Sequence, residues 1–133
     1  MEHHGGCACG RLRFRSAVDP LDTGYCHCRT CRQTTGAPVL AYASFPVASF
    51  AYTAGSPARY ASSDSGHREF CDRCGTQIAF RGNAPATVDV NVGALDAPER
   101  CPPSRHIWCA SALPWLRLVD GLPRHAQGAA GGA

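Results

Sequence analysis

The chain has 133 residues, nine cysteines and a formal net charge of +3 at pH 7. A chain of this length predicts one domain with a modest core, small enough to benefit from a metal cross-link. Its basic side chains are scattered arginines rather than a cluster, which argues against a nucleic-acid partner. No apolar run approaches the roughly 20 residues that span a bilayer, so no membrane partner is expected.

The number of cysteines and the start of the chain both bear on the cellular compartment. Nine is an odd number, and residues 1–6 contain no apolar stretch of the kind found in secretory signals. Both observations favour a reducing compartment over a disulfide framework. We therefore expect a cytoplasmic protein whose cysteines bind metal.

The first half of the chain alternates between strand patterns and turns. Residues 11–15 place Leu12 and Phe14 on one face and arginines on the other, with the period of two that is typical of a half-buried strand. Residues 39–45 form a mostly apolar run, and residues 50–52 alternate before the next turn. These patterns predict three short strands, with Leu12 and Phe14 buried.

The second half contains the clearest strand pattern of the chain. Residues 59–61 and 68–70 flank a polar turn and predict a hairpin, and residues 77–80 predict a further strand. In residues 87–92, three valines alternate with three polar side chains, which is typical of a strand with one buried face. The valines expected in the core are Val88, Val90 and Val92.

The absence of a long stripe with a period of 3.6 residues predicts a mainly β protein. Short helical turns are expected only near residues 31–35 and 95–99. We expect one domain over residues 1–123, built of short antiparallel sheets. Residues 124–133 are rich in glycine and alanine and have little to bury, so this tail is predicted to be disordered.

Two pairs of cysteines predict a structural metal site. Cys71 and Cys74 have two residues between them and are followed at once by glycine, which is the pattern of a zinc knuckle. Cys7 and Cys9 form a shorter pair that is also followed by glycine. Together they supply the four ligands of a tetrahedral zinc, which would connect the start of the chain to its middle. The alternative is four free cysteines that pack as small apolar side chains.

A second cysteine cluster is the candidate for catalytic chemistry. Cys26, Cys28 and Cys31 lie on one short segment, so that three thiolates can surround one ion. Three protein ligands and an open position are typical of catalytic zinc, which can hold a bound thiol as thiolate or polarise a carbonyl oxygen. The neighbouring Arg29 and Arg32 would favour thiolate over thiol.

The spacing of this cluster leaves other interpretations open. The site could instead be closed by a fourth ligand from elsewhere in the chain, the candidates being Cys101, Cys109, His67 and His106. A redox-active disulfide is less well supported, because no thioredoxin-like βαβ pattern surrounds the cysteines. His27, between two of the proposed ligands, is a candidate proton shuttle or a solvent-facing side chain.

Six short motifs follow one another along the chain. They are the stretches 6–10 (GCACG), 26–38 (CHCRTCRQTTGAP), 70–75 (FCDRCG), 92–98 (VGALDAP), 105–108 (RHIW) and 114–116 (PWL). Together they resemble the motifs of the glutathione-dependent formaldehyde-activating (Gfa-like) family, which also includes the centromere protein V domain. The resemblance covers residues 6–116 in the family's order.

This resemblance implies a tent-like β-fold held by a four-cysteine structural zinc, and a second zinc at the active site. The structural role is carried over to Cys7, Cys9, Cys71 and Cys74, and the catalytic role to Cys26, Cys28 and Cys31. The implied activity is that of a carbon–sulfur lyase, which reversibly joins a thiol, glutathione in the named enzyme, to a small aldehyde such as formaldehyde.

Two classes of function follow from these patterns. In the first, the protein is a lyase whose partners are a small-molecule thiol and an aldehyde, and it acts as a monomer or homodimer. In the second, both metals are structural and the domain is a binding module for a macromolecule, as the centromere protein V branch suggests. A fourth protein ligand on the second metal would favour the module, and an exchangeable position would favour the enzyme.

Overall fold

The computed structural model describes residues 1–83 and 85–128, and within them the protein is mainly β, as predicted. The strands are β1 His3–Gly6, β2 Arg13–Ser16, β3 Asp22–Cys26, β4 Leu40–Pro46, β5 Phe50–Ala54, β6 Ala58–Ser63, β7 Gly66–Phe70, β8 Gln77–Gly82, β9 Thr87–Asn91 and β10 His106–Ile107. The α-helix α1 covers Arg29–Thr35, and short 3-10 helices cover Val47–Ser49, Val92–Ala94, Pro98–Arg100 and Cys109–Ser111.

The strands form two sheets. The smaller has the order β1-β2-β5, and the larger has the order β10-β3-β4-β9-β8-β7-β6. Neighbouring strands are antiparallel, as expected, except that β10 pairs with β3 in parallel at one edge of the larger sheet. The turn between β1 and β2 carries the first cysteine pair, and the turn between β7 and β8 carries the second. Metal held by both pairs would therefore join the two sheets.

The main core lies between the sheets, where the alternating side chains predicted it. Leu12 and Phe14 are about 1% exposed, and Val88 and Val90 are fully buried. Val92 is also buried, although it begins a 3-10 helix after β9 instead of ending the strand. The predicted burial of these five side chains is confirmed. Their apolar area, removed from water, supplies the main driving force for packing one sheet on the other.

The helix α1 is short and forms where the second cysteine segment turns back. Cys28 is its N-cap, and its Sγ accepts a hydrogen bond from the backbone N–H of Cys31 at 3.3 Å. Gly36 ends the helix in the left-handed conformation, with φ 68°, and donates its N–H to the carbonyl of Arg32. The predicted helical turn at residues 31–35 therefore starts two residues earlier.

The end of the described chain lies against β10. The backbone N–H of His125 donates to the carbonyl of His106 at 2.9 Å, and the N–H of Trp108 donates to the carbonyl of Gln127 at 2.9 Å. The first residues of the predicted disordered tail thus extend the edge of the larger sheet, because unpaired backbone groups at a strand edge accept further partners. The remainder of that tail, residues 129–133, lies outside the described residues. In the described part, no helix is long and apolar enough to cross a membrane.

Candidate metal centres and the adjoining cavity

The predicted four-cysteine cluster assembles from two turns that are far apart in sequence. The Sγ atoms of Cys7, Cys9, Cys71 and Cys74 all lie within 4.8 Å of one another. Cys7 and Cys9 are 3.6 Å apart, and Cys9 and Cys71 are 3.8 Å apart. Tetrahedral zinc with bonds of 2.3 Å requires sulfur separations of about 3.8 Å. The arrangement of the four thiols is therefore compatible with a tetrahedral zinc ion.

Backbone and hydroxyl donors surround these thiols in the manner of zinc knuckles. The N–H of Leu12 donates to Cys7 Sγ at 3.2 Å, and the N–H of Arg73 donates to Cys71 Sγ at 3.4 Å. The hydroxyl and N–H of Thr76 lower the pKa of Cys74 to about 5. Donors of this kind stabilise the thiolate, which is the form that binds metal.

Both knuckle turns depend on a glycine, as the sequence predicted. Gly10 and Gly75 each have φ 80°, a left-handed conformation that side chains with a Cβ rarely adopt. The N–H of Gly10 donates to the carbonyl of Cys7, and the N–H of Gly75 donates to the carbonyl of Cys71. These tight turns bring the second thiol of each pair back toward the first.

The second predicted cluster also assembles. The Sγ atoms of Cys26, Cys28 and Cys31 lie within 4.8 Å of one another, and Cys31 and Cys26 are 3.4 Å apart. Cys26 ends β3, whereas Cys28 and Cys31 come from the cap and first turn of α1. Hydrogen bonds from Cys26 and then Cys31 lower the pKa of the Cys28 thiol. Three thiols at these separations form a donor set that zinc accepts.

An arginine that is distant in sequence from the three cysteines contacts this cluster. Arg68, on β7, is 7% exposed and places Nη1 3.6 Å from Cys31 Sγ. Its guanidinium also lies 5.1 Å from the centre of the Phe80 ring. The predicted neighbour Arg32 instead donates to the backbone carbonyls of His27 and Ser111. The positive charge beside the thiols thus comes from a different part of the chain.

Within the described residues, none of the four candidate ligands joins the three thiols. Three of these residues have other partners. Cys101 is buried with its Sγ 3.7 Å from His3 Nδ1, and His67 is paired with Glu69 at 3.0 Å. His106 bonds His27 and Asp120. Among the described residues, no side chain therefore occupies the fourth position that a tetrahedral ion would have here.

His27 lies in a buried chain of side chains behind the cluster. Its Nε2 is 2.9 Å from His106 Nδ1, and His106 Nε2 is 2.8 Å from a carboxylate oxygen of Asp120. Burial, followed by the charge of His106, lowers the pKa of His27. His27 is only 2% exposed and therefore does not point to solvent. Its role as a proton shuttle stays a prediction. The hydrogen bonds from His27 through His106 to Asp120 anchor the segment between Cys26 and Cys28.

A cavity of about 630 Å³ opens beside the three thiols. Its apolar wall near the cluster includes Leu40, Ile107 and Trp108. Trp108 has a positive φ of 57° and reaches this wall from the turn after β10. The other tryptophan, Trp115, is 68% exposed and does not line this cavity. A cavity of this size accommodates a small-molecule ligand.

The floor of the cavity is the outer face of the larger sheet. Strand register places Ser44 directly opposite both Asp22 and Asp89, and Asp89 directly opposite Phe80. Phe80 is in turn opposite Arg68. These five side chains form one row across five strands, because cross-strand neighbours share a face. The valines of β9 face the core, so Asp89 and Asn91 of the same strand line the cavity.

The partly buried carboxylate of Asp89 is expected to lower the free energy of unfolding at neutral pH. Burial raises the pKa of Asp89, and the carboxylate of Asp22 adds to the effect. A raised pKa means that Asp89 stabilises the fold while it is protonated, and that this contribution is lost as pH rises through the pKa. We therefore expect Asp89→Asn to raise the Tm at neutral pH, by roughly 2–8 °C for each kcal/mol gained.

The same substitution should keep the hydrogen bond that Ser44 Oγ donates to Asp89 at 2.6 Å, because asparagine retains an acceptor oxygen. Thermal melts of the two proteins check this prediction. The difference in Tm should shrink as pH falls below neutral and the carboxyl group of the parent protein takes up a proton. A variant less stable than the parent at neutral pH would contradict it.

Fold and site define a mainly β domain with two cysteine clusters, each of which could hold a metal ion. A family model described as glutathione-dependent formaldehyde-activating enzyme matches residues 2–111. The chain belongs to this family. The resemblance inferred from the motifs is confirmed.

A solved structure shares the fold. It is the crystal structure of a Rhodobacter sphaeroides protein from a structural-genomics programme, with a TM-score of 0.56 and 20% sequence identity. The similarity covers 92% of this chain and 98% of that chain. No curated protein matches the chain significantly.

Proposed function

We propose that the protein is a zinc-dependent carbon–sulfur lyase that reversibly joins a thiol to a small aldehyde. The observation that carries the proposal is the convergence of Cys26, Cys28 and Cys31 on the wall of a ligand-sized cavity, without a fourth side-chain ligand among the described residues. A structural zinc has four protein ligands, whereas a catalytic zinc keeps a position open. Membership of the family supports the same class of chemistry.

The proposed roles of the cysteines follow their geometry. Cys7, Cys9, Cys71 and Cys74 hold a structural zinc that joins the two sheets. Cys26, Cys28 and Cys31 hold the second zinc. A zinc ion bound to three thiolates would supply the positive charge that lowers the pKa of a substrate thiol.

The reaction moves one proton and forms one bond. The sulfur of the substrate thiol adds to the carbonyl carbon of the aldehyde, and the π electron pair moves to the carbonyl oxygen. That oxygen takes up a proton equivalent to the one lost from sulfur, which gives the hemithioacetal. The reverse direction breaks the same carbon–sulfur bond and regenerates thiol and aldehyde.

Two features of this chain favour the reaction. Arg68, 3.6 Å from Cys31 Sγ, balances the negative charge that accumulates when a further thiolate approaches the cluster. The apolar wall of Leu40, Ile107 and Trp108 excludes water from the same end of the cavity. A low dielectric strengthens the charge interactions there.

Exchange NMR with metal analysis tests the proposal. We expect about two zinc ions for each chain, and exchange between free glutathione and its formaldehyde adduct that is faster with the protein than in buffer. Cys109→Ser, which alters a cysteine outside both clusters, is the control and should retain both properties. Two zinc ions with no acceleration by any thiol and aldehyde pair would instead support the non-catalytic binding module.

A further inference from the structure

The cavity has chemically different ends. At one end, Cys26 lies opposite Leu40, and at the other, Asp89 lies opposite Ser44. Leu40 and Ser44 are four residues apart on β4, which corresponds to about 14 Å along the strand. Arg68 starts in the row of Asp89 and reaches Cys31, so it bridges much of this distance. The thiols and the Asp89 carboxylate are therefore separated by on the order of 10 Å.

The charged side chains that line the cavity differ in whether they have a nearby partner. Asp22 forms an ion pair with Arg105 at 2.6 Å. Arg68 faces the cysteine cluster, with its Nη1 3.6 Å from Cys31 Sγ. Asp89 accepts a hydrogen bond from Ser44, but no cationic side chain of the described residues lies within 4.0 Å of its carboxylate. Two carboxylates line the cavity, and in the described part of the chain Asp89 is the one without an ion-pair partner.

We propose that Asp89 binds a protonated amino group of the thiol substrate, at the end of the cavity away from the three cysteines. The proposal rests on the proposed function for the position of the substrate sulfur. A partly buried carboxylate without a counter-ion gains most from a ligand that brings a positive charge and hydrogen-bond donors. Asp89 is then a residue that determines which thiols bind.

The distance between the two ends restricts the ligand further. In cysteine or cysteamine, the nitrogen is only about 4 Å from the sulfur, which is too short to reach both ends. A γ-glutamyl-cysteinyl compound places its free amino group about 10 Å from the sulfur when extended. The cavity therefore fits a thiol with a remote ammonium group better than a short aminothiol or a thiol without an amine.

Binding titrations without aldehyde test this role separately from the reaction. Zinc-loaded protein is titrated calorimetrically with glutathione and with glutathione whose amino group is acetylated. We expect the parent protein to bind glutathione about tenfold more tightly than the acetylated compound, which is a typical effect of one charge-assisted hydrogen bond. Asp89→Asn should lose about tenfold in affinity for glutathione and leave the affinity for the acetylated compound unchanged.

Asp64→Asn is the matched control, because it removes the same charge from an exposed turn between β6 and β7. It should preserve the tenfold preference. Equal weakening of both ligands by Asp89→Asn, equal affinity of the parent for both, or no binding of either would overturn the proposal. A protein that shows the preference but no thiol–aldehyde exchange would retain this role of Asp89 and lose the lyase assignment.

Discussion

Replacement of Cys71 with serine should leave the protein largely unfolded or insoluble. Cys71 is 1% exposed and lies in the turn between β7 and β8, which are neighbouring strands of the larger sheet. The cluster it belongs to connects that sheet to the smaller one. Structural zinc supplies about 10–16 kcal/mol to the folding of small zinc domains. This contribution is comparable with the whole stability of a domain, about 5–15 kcal/mol.

Circular dichroism, thermal melting and zinc content of the variant measure the effect. We expect loss of the cooperative transition and of the zinc that is hardest to remove. Cys109→Ser provides the control, because Cys109 lies outside both clusters and is only partly buried. A Cys71→Ser protein that melts like its parent would show that the four cysteines do not hold the sheets together.

Replacement of Cys28 with serine should abolish activity and change the Tm little. Cys28 is only half-buried and caps α1 by accepting the N–H of Cys31. Serine is among the best N-cap residues, so it should preserve the start of the helix. It does not replace a thiolate as a zinc ligand, because its hydroxyl remains protonated at neutral pH. We expect a loss of more than about 100-fold in thiol–aldehyde exchange.

The order in which a chelator removes the metals tests the same distinction between the sites. The three-cysteine site comes from one short segment and has one ligand fewer, so its zinc should leave first while the fold persists. Zinc release and circular dichroism are followed together during titration with chelator. If Cys28→Ser unfolds as completely as Cys71→Ser, the second cluster is structural and the lyase proposal fails.

Local patterns in the sequence were enough to predict much of the core and both clusters. Alternation predicted the burial of Phe14, Val88 and Val90, because a strand with one buried face must place every second side chain inside. The cysteine pairs predicted their own turns, since closely spaced thiols followed by glycine favour a knuckle. Pairing of the two knuckles with each other was also predicted, because a tetrahedral zinc needs four ligands.

Other features of the site lay outside the reach of these patterns. In the sequence, Arg68 and Asp89 occupy polar positions of predicted strands. No residue adjacent to them in sequence distinguishes them from polar side chains that face solvent. Strand register brings them to one row of the cavity floor, and that register arises from pairing across the sheet. The end of the chain was expected to be disordered because it has little to bury, yet residues near 125 bind the edge strand through backbone hydrogen bonds that do not depend on side-chain type.

The sequence by itself determined which residues could ligate metal and which strand faces were apolar, because these properties depend on residue type and on spacing along the chain. Only the tertiary structure decided what surrounds the ligands. It placed Arg68 against Cys31, buried His27 against His106, and left Asp89 in the cavity without a cationic partner among the described residues. The physical reason is that charge balance and burial are set by neighbours far apart in sequence, which only the pairing and packing of the sheets bring into contact.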